Sequence, residues 1–160
     1  MTEATLADAL AAVDVTRQTR RAVVQVVDAL ADDARTRIPT GFSNHVLWNV
    51  GHLAVTEQAL VYGLSGLPLG VPEAWAEAFR KGTTPADGVA AVPYADVRDA
   101  FLALPDQTEA DLKAGRFATF RPYRTTPGVV LTSAAEALRF NLYHEGLHLG
   151  SILALRKLVG

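Results

Sequence analysis

The chain has 160 residues, a length that suits one domain able to bury its own core. Its net charge of −2 and pI near 6.1 exclude the basic footprint of a nucleic-acid-binding domain. Cysteine is absent, which excludes disulfides, Cys-based zinc sites and a thiol nucleophile of the chain's own, and suits a reducing compartment.

The first residues, MTEATLADALAAVDVTRQTRR, carry acidic groups early and lack a basic leader, so they do not read as a signal peptide. No run approaches the ~20 apolar residues of a membrane span. The expectation is a cytoplasmic protein with neither membrane nor nucleic acid as partner. A first helix is expected from about Thr5 to Asp33, with Leu6, Leu10, Val13, Val24, Val27 and Leu30 on its apolar stripe and Ile38-Pro39-Thr40-Gly41 as the break. A second is expected from Asn44 to Leu64, with Ser43 as N-cap and Ser65-Gly66 as stop. The stretch Pro68 to Pro93 is rich in Pro and Gly. It contains a short helix, Pro72 to Lys81, and then the surface loop GTTPADGVAAVP.

A third long helix is expected from Tyr94 to Ala114, kinked or divided by Pro105. Arg116 to Arg124 reads as a loop, and strand-like alternation is confined to Gly128 to Leu131. The last helix, Ser133 to Leu158, opens on a capping box of Ser133 and Glu136. No internal repeat appears. The expected fold is all-α: a single domain over 1–160, a four-helix bundle with a long crossover connection and a short extra helix.

The chemistry lies in four histidines, His45, His52, His144 and His148, confined to two helices. His144 and His148 are four apart, so their Cβ atoms stack on one helix face at roughly 5–6 Å. They interrupt the apolar run LRFNLYHEGLHLGSILAL, where buried imidazoles need partners. HEGLH also matches the His-Glu-x-x-His pattern of zincins, whose third ligand follows downstream. Here only LGSILALRKLVG follows, without a His, Asp, Glu or Cys, so a third ligand has to come from upstream. His52, beside Gly51 in WNVGHLAVTE, is the best candidate, the glycine permitting close approach of another backbone. His45, about 10 Å further along the axis, reads as pocket lining or a cap neighbour.

At these residues the chain resembles the DinB/YfiT-like metalloenzymes. The segments WNVGHLAVTEQ and HEGLHLGSI carry the resemblance, with Trp48, Gly150 and Ile152 beside the histidines. The resemblance implies a four-helix bundle with one divalent ion, zinc or nickel, held by His52, His144 and His148 near one end. It also implies water in the open positions and frequent homodimers. Some members are transferases that use mycothiol, bacillithiol or glutathione as nucleophile, and one is a maleylpyruvate isomerase. The chain departs from the pattern in Glu145 beside His144 and in the Pro/Gly-rich stretch Pro68 to Pro93.

Three neutral ligands leave an ion its full charge and open positions, the arrangement of catalytic sites. Such a site can activate water for hydrolysis or bind a small thiol as thiolate, and the resemblance favours the thiol. Glu145 is turned about 100° around the helix from His144 and can face a neighbouring helix or a partner copy. Asn141 and Glu57 are candidates for orienting an imidazole N–H. Arg121 or Arg124 is the expected clamp for a carboxylate or phosphate of a small-molecule substrate, and Tyr143 can line the site or pack as core. The alternative to a transferase is a non-catalytic metal or small-ligand binding module of stress-response type, its site closed by His45 or Glu57.

Overall fold

The computed structural model describes residues 2–87, 89 and 92–160. The fold is all-α, with six α-helices and one two-stranded hairpin among the described residues. Helix α1 (Glu3–Asp28) is followed by the short α2 (Asp32–Thr36) and by α3 (Val46–Gln58), which continues into a π-turn at Ala59–Gly63. Helix α4 (Glu73–Phe79) precedes α5 (Tyr94–Lys113), strands β1 (Tyr123–Arg124) and β2 (Val130–Leu131), and α6 (Ala134–Val159). The four long helices pack in a ring: α1 lies against α5 and α6, and α3 lies against the same two. No helix among the described residues is long and apolar enough to cross a membrane.

Several boundaries differ from expectation for local reasons. The first helix stops at Asp28 rather than Asp33. Arg35 on α2 folds back and donates to the carbonyls of Val27 (3.0 Å) and Asp28 (3.2 Å), satisfying groups that a longer helix would have used itself. The second helix begins at Val46, and its N-cap is His45 rather than Ser43: the His45 Nδ1 accepts from the Trp48 N–H at 3.0 Å. Its end agrees with the Ser65-Gly66 stop, Gly66 adopting φ +72° where an L side chain is strained. The short helix covers only Glu73–Phe79. The loop expected at Gly82 to Pro93 lies outside the described residues at Gly88, Ala90 and Ala91. Tyr123–Arg124, expected as loop, pairs antiparallel with Val130–Leu131.

Pro105 does not divide α5, which runs unbroken to Lys113. A proline lacks the N–H that would bond the carbonyl four residues earlier, that of Phe101. Here the Phe101 carbonyl instead accepts the Arg20 guanidinium at 3.1 Å. Arg20 is fully buried. Its Nε and Nη2 both reach Glu145 Oε1, at 3.0 and 2.8 Å, and Nη2 lies 3.3 Å from Glu57 Oε2. Its guanidinium also sits 4.4 Å above the centre of the Phe101 ring. Thr108 donates to Glu57 Oε1 at 2.9 Å and Asn141 donates to Glu145 Oε1 at 3.3 Å. One guanidinium therefore ties α1 to α3, α5 and α6.

This polar layer separates two apolar clusters. One contains Val23, Val50, Leu53, Phe101 and Ile152, and the other contains Val13, Val61, Leu112, Leu131 and Leu138. Burial alone would lower the Arg20 pKa, but Glu145 and Glu57 more than offset it and hold the group firmly cationic. Burial pushes the Glu145 carboxyl up, against the pull of Arg20. Removing only the cation strands two buried carboxylates. Arg20→Met is expected to lower the free energy of unfolding in urea by about 3–5 kcal/mol. The triple variant with Glu57→Gln and Glu145→Gln is expected to recover much of that loss, and no recovery would show that the charges are not coupled.

Candidate metal centre

Helix α3 is buried around almost its whole circumference, so its polar side chains must find partners inside the protein. His52 is 5 % exposed and stacks on Trp48, with ring centroids 4.6 Å apart and planes 11° apart. His144 and His148 stand one above the other on α6 with centroids 4.6 Å apart. The His52 ring lies 5.1 Å from His144 and 4.8 Å from His148. Nitrogen atoms of the three fall within 4.8 Å of one another, forming the one cluster among the described residues able to hold a metal ion. Metal–nitrogen bonds are ~2.0–2.1 Å long for zinc, so small side-chain rotations bring all three onto one ion.

Hydrogen bonds settle which nitrogens remain available. The His52 Nδ1–H donates to the Phe79 carbonyl at 2.7 Å, and the His148 Nδ1–H donates to Asn49 Oδ1 at 2.8 Å. Asn49 is itself oriented, its Nδ2 donating to the His45 carbonyl at 2.9 Å. Both histidines are thus fixed as tautomers with the Nε2 lone pair free to ligate. The only other contact of His52 Nε2 is the Thr56 hydroxyl at 3.3 Å. On His144, Nδ1 is buried with no partner at all. An unpaired buried imidazole nitrogen is costly in a protein interior, and no hydrogen bond there fixes the His144 tautomer as it does for His52 and His148.

Charge fits the same use. Burial, then the neighbouring His148 and His52, hold the His144 pKa down to about 3. Burial and His52 bring His148 to about 4, and burial lowers His52 despite its bond to Phe79. All three are neutral at pH 7, the state in which imidazole binds metal. The residues present therefore fit a divalent transition-metal ion.

The cluster opens on a cleft of about 720 Å³. Val55, Leu60, Phe140, Tyr143 and Leu147 supply its apolar walls, and Thr56, Thr125 and Thr126 supply hydroxyls. Tyr143 is 53 % exposed and lines this cleft instead of packing in the core. No further His, Cys, Asp or Glu joins the three histidines in the cluster among the described residues. His45, one candidate to close the site, is occupied as the α3 N-cap, and Glu57, the other, is bound to Arg20 and Thr108.

The remaining expected groups are placed elsewhere. Glu145 points into the core and pairs with Arg20, so the zincin-like carboxylate is structural. Asn141 donates to Glu145 and not to an imidazole. Arg121 and Arg124 are exposed and neither lines the cleft; Arg124 donates to the Gly128 carbonyl within its own hairpin. Gly51 admits a side chain rather than a backbone, since a Cβ there would lie 2.5 Å from the Phe79 ring. That close fit lets the Phe79 carbonyl reach His52. The stretch Pro68 to Pro93, where the chain departs from the family pattern, thus contributes a hydrogen bond to the site.

The sequence profile of the DinB superfamily matches residues 16–152. The chain belongs to the DinB superfamily. The matched segment contains all three clustered histidines together with Trp48, Asn49 and Phe79. No curated protein matches the chain. For this DinB-superfamily chain the decisive groups overlooked in sequence are Asn49, Thr56 and the Phe79 carbonyl. Asn49 stands three residues before His52 on a buried helix, a spacing that signals a shared face. Asn49→Ala is expected to weaken zinc binding about 10–100-fold while leaving one site per chain, as measured by competition with a chromophoric chelator. Unchanged affinity would show that Asn49 does not orient His148.

Proposed function

We propose that the chain binds one divalent transition-metal ion, zinc or nickel, through His52, His144 and His148, and acts as a metal-dependent transferase using a low-molecular-weight thiol. The observation that carries this is a neutral three-histidine cluster opening on a cleft whose walls contain no carboxylate. When bound, the ion supplies a positive centre that lowers the pKa of a thiol beside it, so that no separate general base is required. The chain has no cysteine, so the nucleophile is a cosubstrate.

The chain's own residues do the positioning. Phe79 and Asn49 hold two imidazoles in the tautomers that present Nε2. Val55, Leu60 and Phe140 exclude water from the inner wall, which strengthens electrostatic contacts there. Thr56 places a hydroxyl beside His52 Nε2, where it can donate to or accept from the reacting thiol. A hydrolase is less well supported. The carboxylate that the HEGLH motif offers as base is buried against Arg20, and no other Asp or Glu lines the cleft.

Protein purified without a His-tag should contain one transition metal per chain, and His144→Ala should lose it. A variant that keeps stoichiometric metal contradicts the ligand set. Addition of a biological thiol to the cobalt-substituted protein should produce a thiolate-to-cobalt charge-transfer band. A spectrum indifferent to mycothiol, bacillithiol and glutathione alike would favour a non-catalytic binding module.

A further inference from the structure

The sequence contains 17 Asp and Glu residues against 15 Lys and Arg, yet no carboxylate lines the cleft while Arg80 and Lys81 both do. Against the chain's net negative charge, the cleft is locally cationic, and an ion on the histidines would make it more so. Low-dielectric walls concentrate such a field on whatever enters. The two cations are not equivalent. Arg80 is engaged outward, its Nε bound to Glu77 at 3.2 Å. Lys81 has no carboxylate within salt-bridge distance among the described residues. Its Nζ donates to Thr126 Oγ1 at 2.7 Å, across 45 residues of sequence, which holds the ammonium at the hairpin side of the cleft. An ammonium has three donors, so two remain for a ligand.

Lys81 is also close to the histidines in chain terms. It lies two residues after Phe79, whose carbonyl takes the His52 proton, and two residues of chain span at most ~7 Å. On the α6 side the cleft presents Tyr143 and Leu147, large apolar side chains that are 53 % and 51 % exposed. Aromatic and aliphatic surface left open beside an unpaired cation is a recognition pattern for one chemical class.

We infer that the cleft takes an amphipathic organic anion, with a carboxylate, phosphate or sulfonate held by Lys81 and an apolar body lying on Tyr143 and Leu147. This rests on the cleft being the reaction site proposed above and names the class of molecule it admits. Lys81, rather than Arg121 or Arg124, is then the specificity-determining cation.

The test uses metal-free protein, so that its outcome does not depend on whether the histidines hold an ion. Metal content is measured separately on the same preparations. The probes are 8-anilinonaphthalene-1-sulfonate and its uncharged counterpart N-phenyl-1-naphthylamine, both titrated by fluorescence. Lys81→Glu is expected to weaken the sulfonate about tenfold and leave the neutral probe unchanged. Lys81→Gln, which can keep a hydrogen bond to Thr126, should weaken the sulfonate by a smaller factor. Tyr143→Ala should weaken both probes, and Arg121→Glu neither. Equal losses of the two probes on Lys81→Glu, or equal effects of Lys81→Glu and Arg121→Glu on the sulfonate, would overturn the inference. The anion can belong to the thiol or to its reaction partner. Saturating benzyl mercaptan on the cobalt-loaded protein separates them: a sulfonate that still binds places the anion on the partner, and a displaced one places it on the thiol. Both outcomes uphold Lys81 as its receptor.

Discussion

Arg20 is buried at the centre of four helices with two carboxylates to answer it, and the fold is organised around satisfying that charge. Charge removed from water is tolerable only when geometry and hydrogen bonding are nearly complete. Each long helix contributes: α1 the guanidinium, α3 Glu57, α5 Thr108 and the carbonyl freed by Pro105, and α6 Glu145 with Asn141. The apolar clusters on either side supply most of the burial. The polar layer adds register, because a helix sliding by one turn would strand a charge.

That register fixes the three clustered histidines. Glu145 follows His144 directly, and Glu57 lies five residues after His52. When Arg20 grips both carboxylates it holds α3 and α6 at the relative height where one imidazole of α3 faces two of α6. The carboxylate of HEGLH is therefore spent on positioning. The histidines then gain a finer adjustment from Asn49 and from Phe79, which reaches His52 because Gly51 leaves space for its ring.

The helix types and the pairing of His144 with His148 were legible because both follow from short-range periodicity; His52 was reached by elimination and by the resemblance. His144 and His148 share a face by spacing alone, and the short tail after His148 sends the search upstream. What could not be read depends on closure over long separations. Arg20 sits in TRQTRR, which looks solvated, although its spacing of seven from Val13 and four from Val24 places it on the apolar stripe. Glu57 and Glu145, each inside an apolar run, together called for a buried cation. Lys81 and the Phe79 carbonyl carried no signal of their own, because a connecting stretch reveals its partners only when folded. Arg121 and Arg124 misled for the same reason: a basic, aromatic loop looks like a clamp, but folded it presents Tyr123 to the cleft and not its arginines.

The proposed centre is an ion held by three histidines from two helices and open toward the cleft. A crystal structure of the zinc-loaded protein, with the ion located by anomalous scattering, tests it most directly. One ion is expected, bonded to His52 Nε2, to His148 Nε2 and to a ring nitrogen of His144, with its remaining positions facing Tyr143 and Leu147. An ion closed by a fourth protein side chain, or bound away from this cluster, would contradict it.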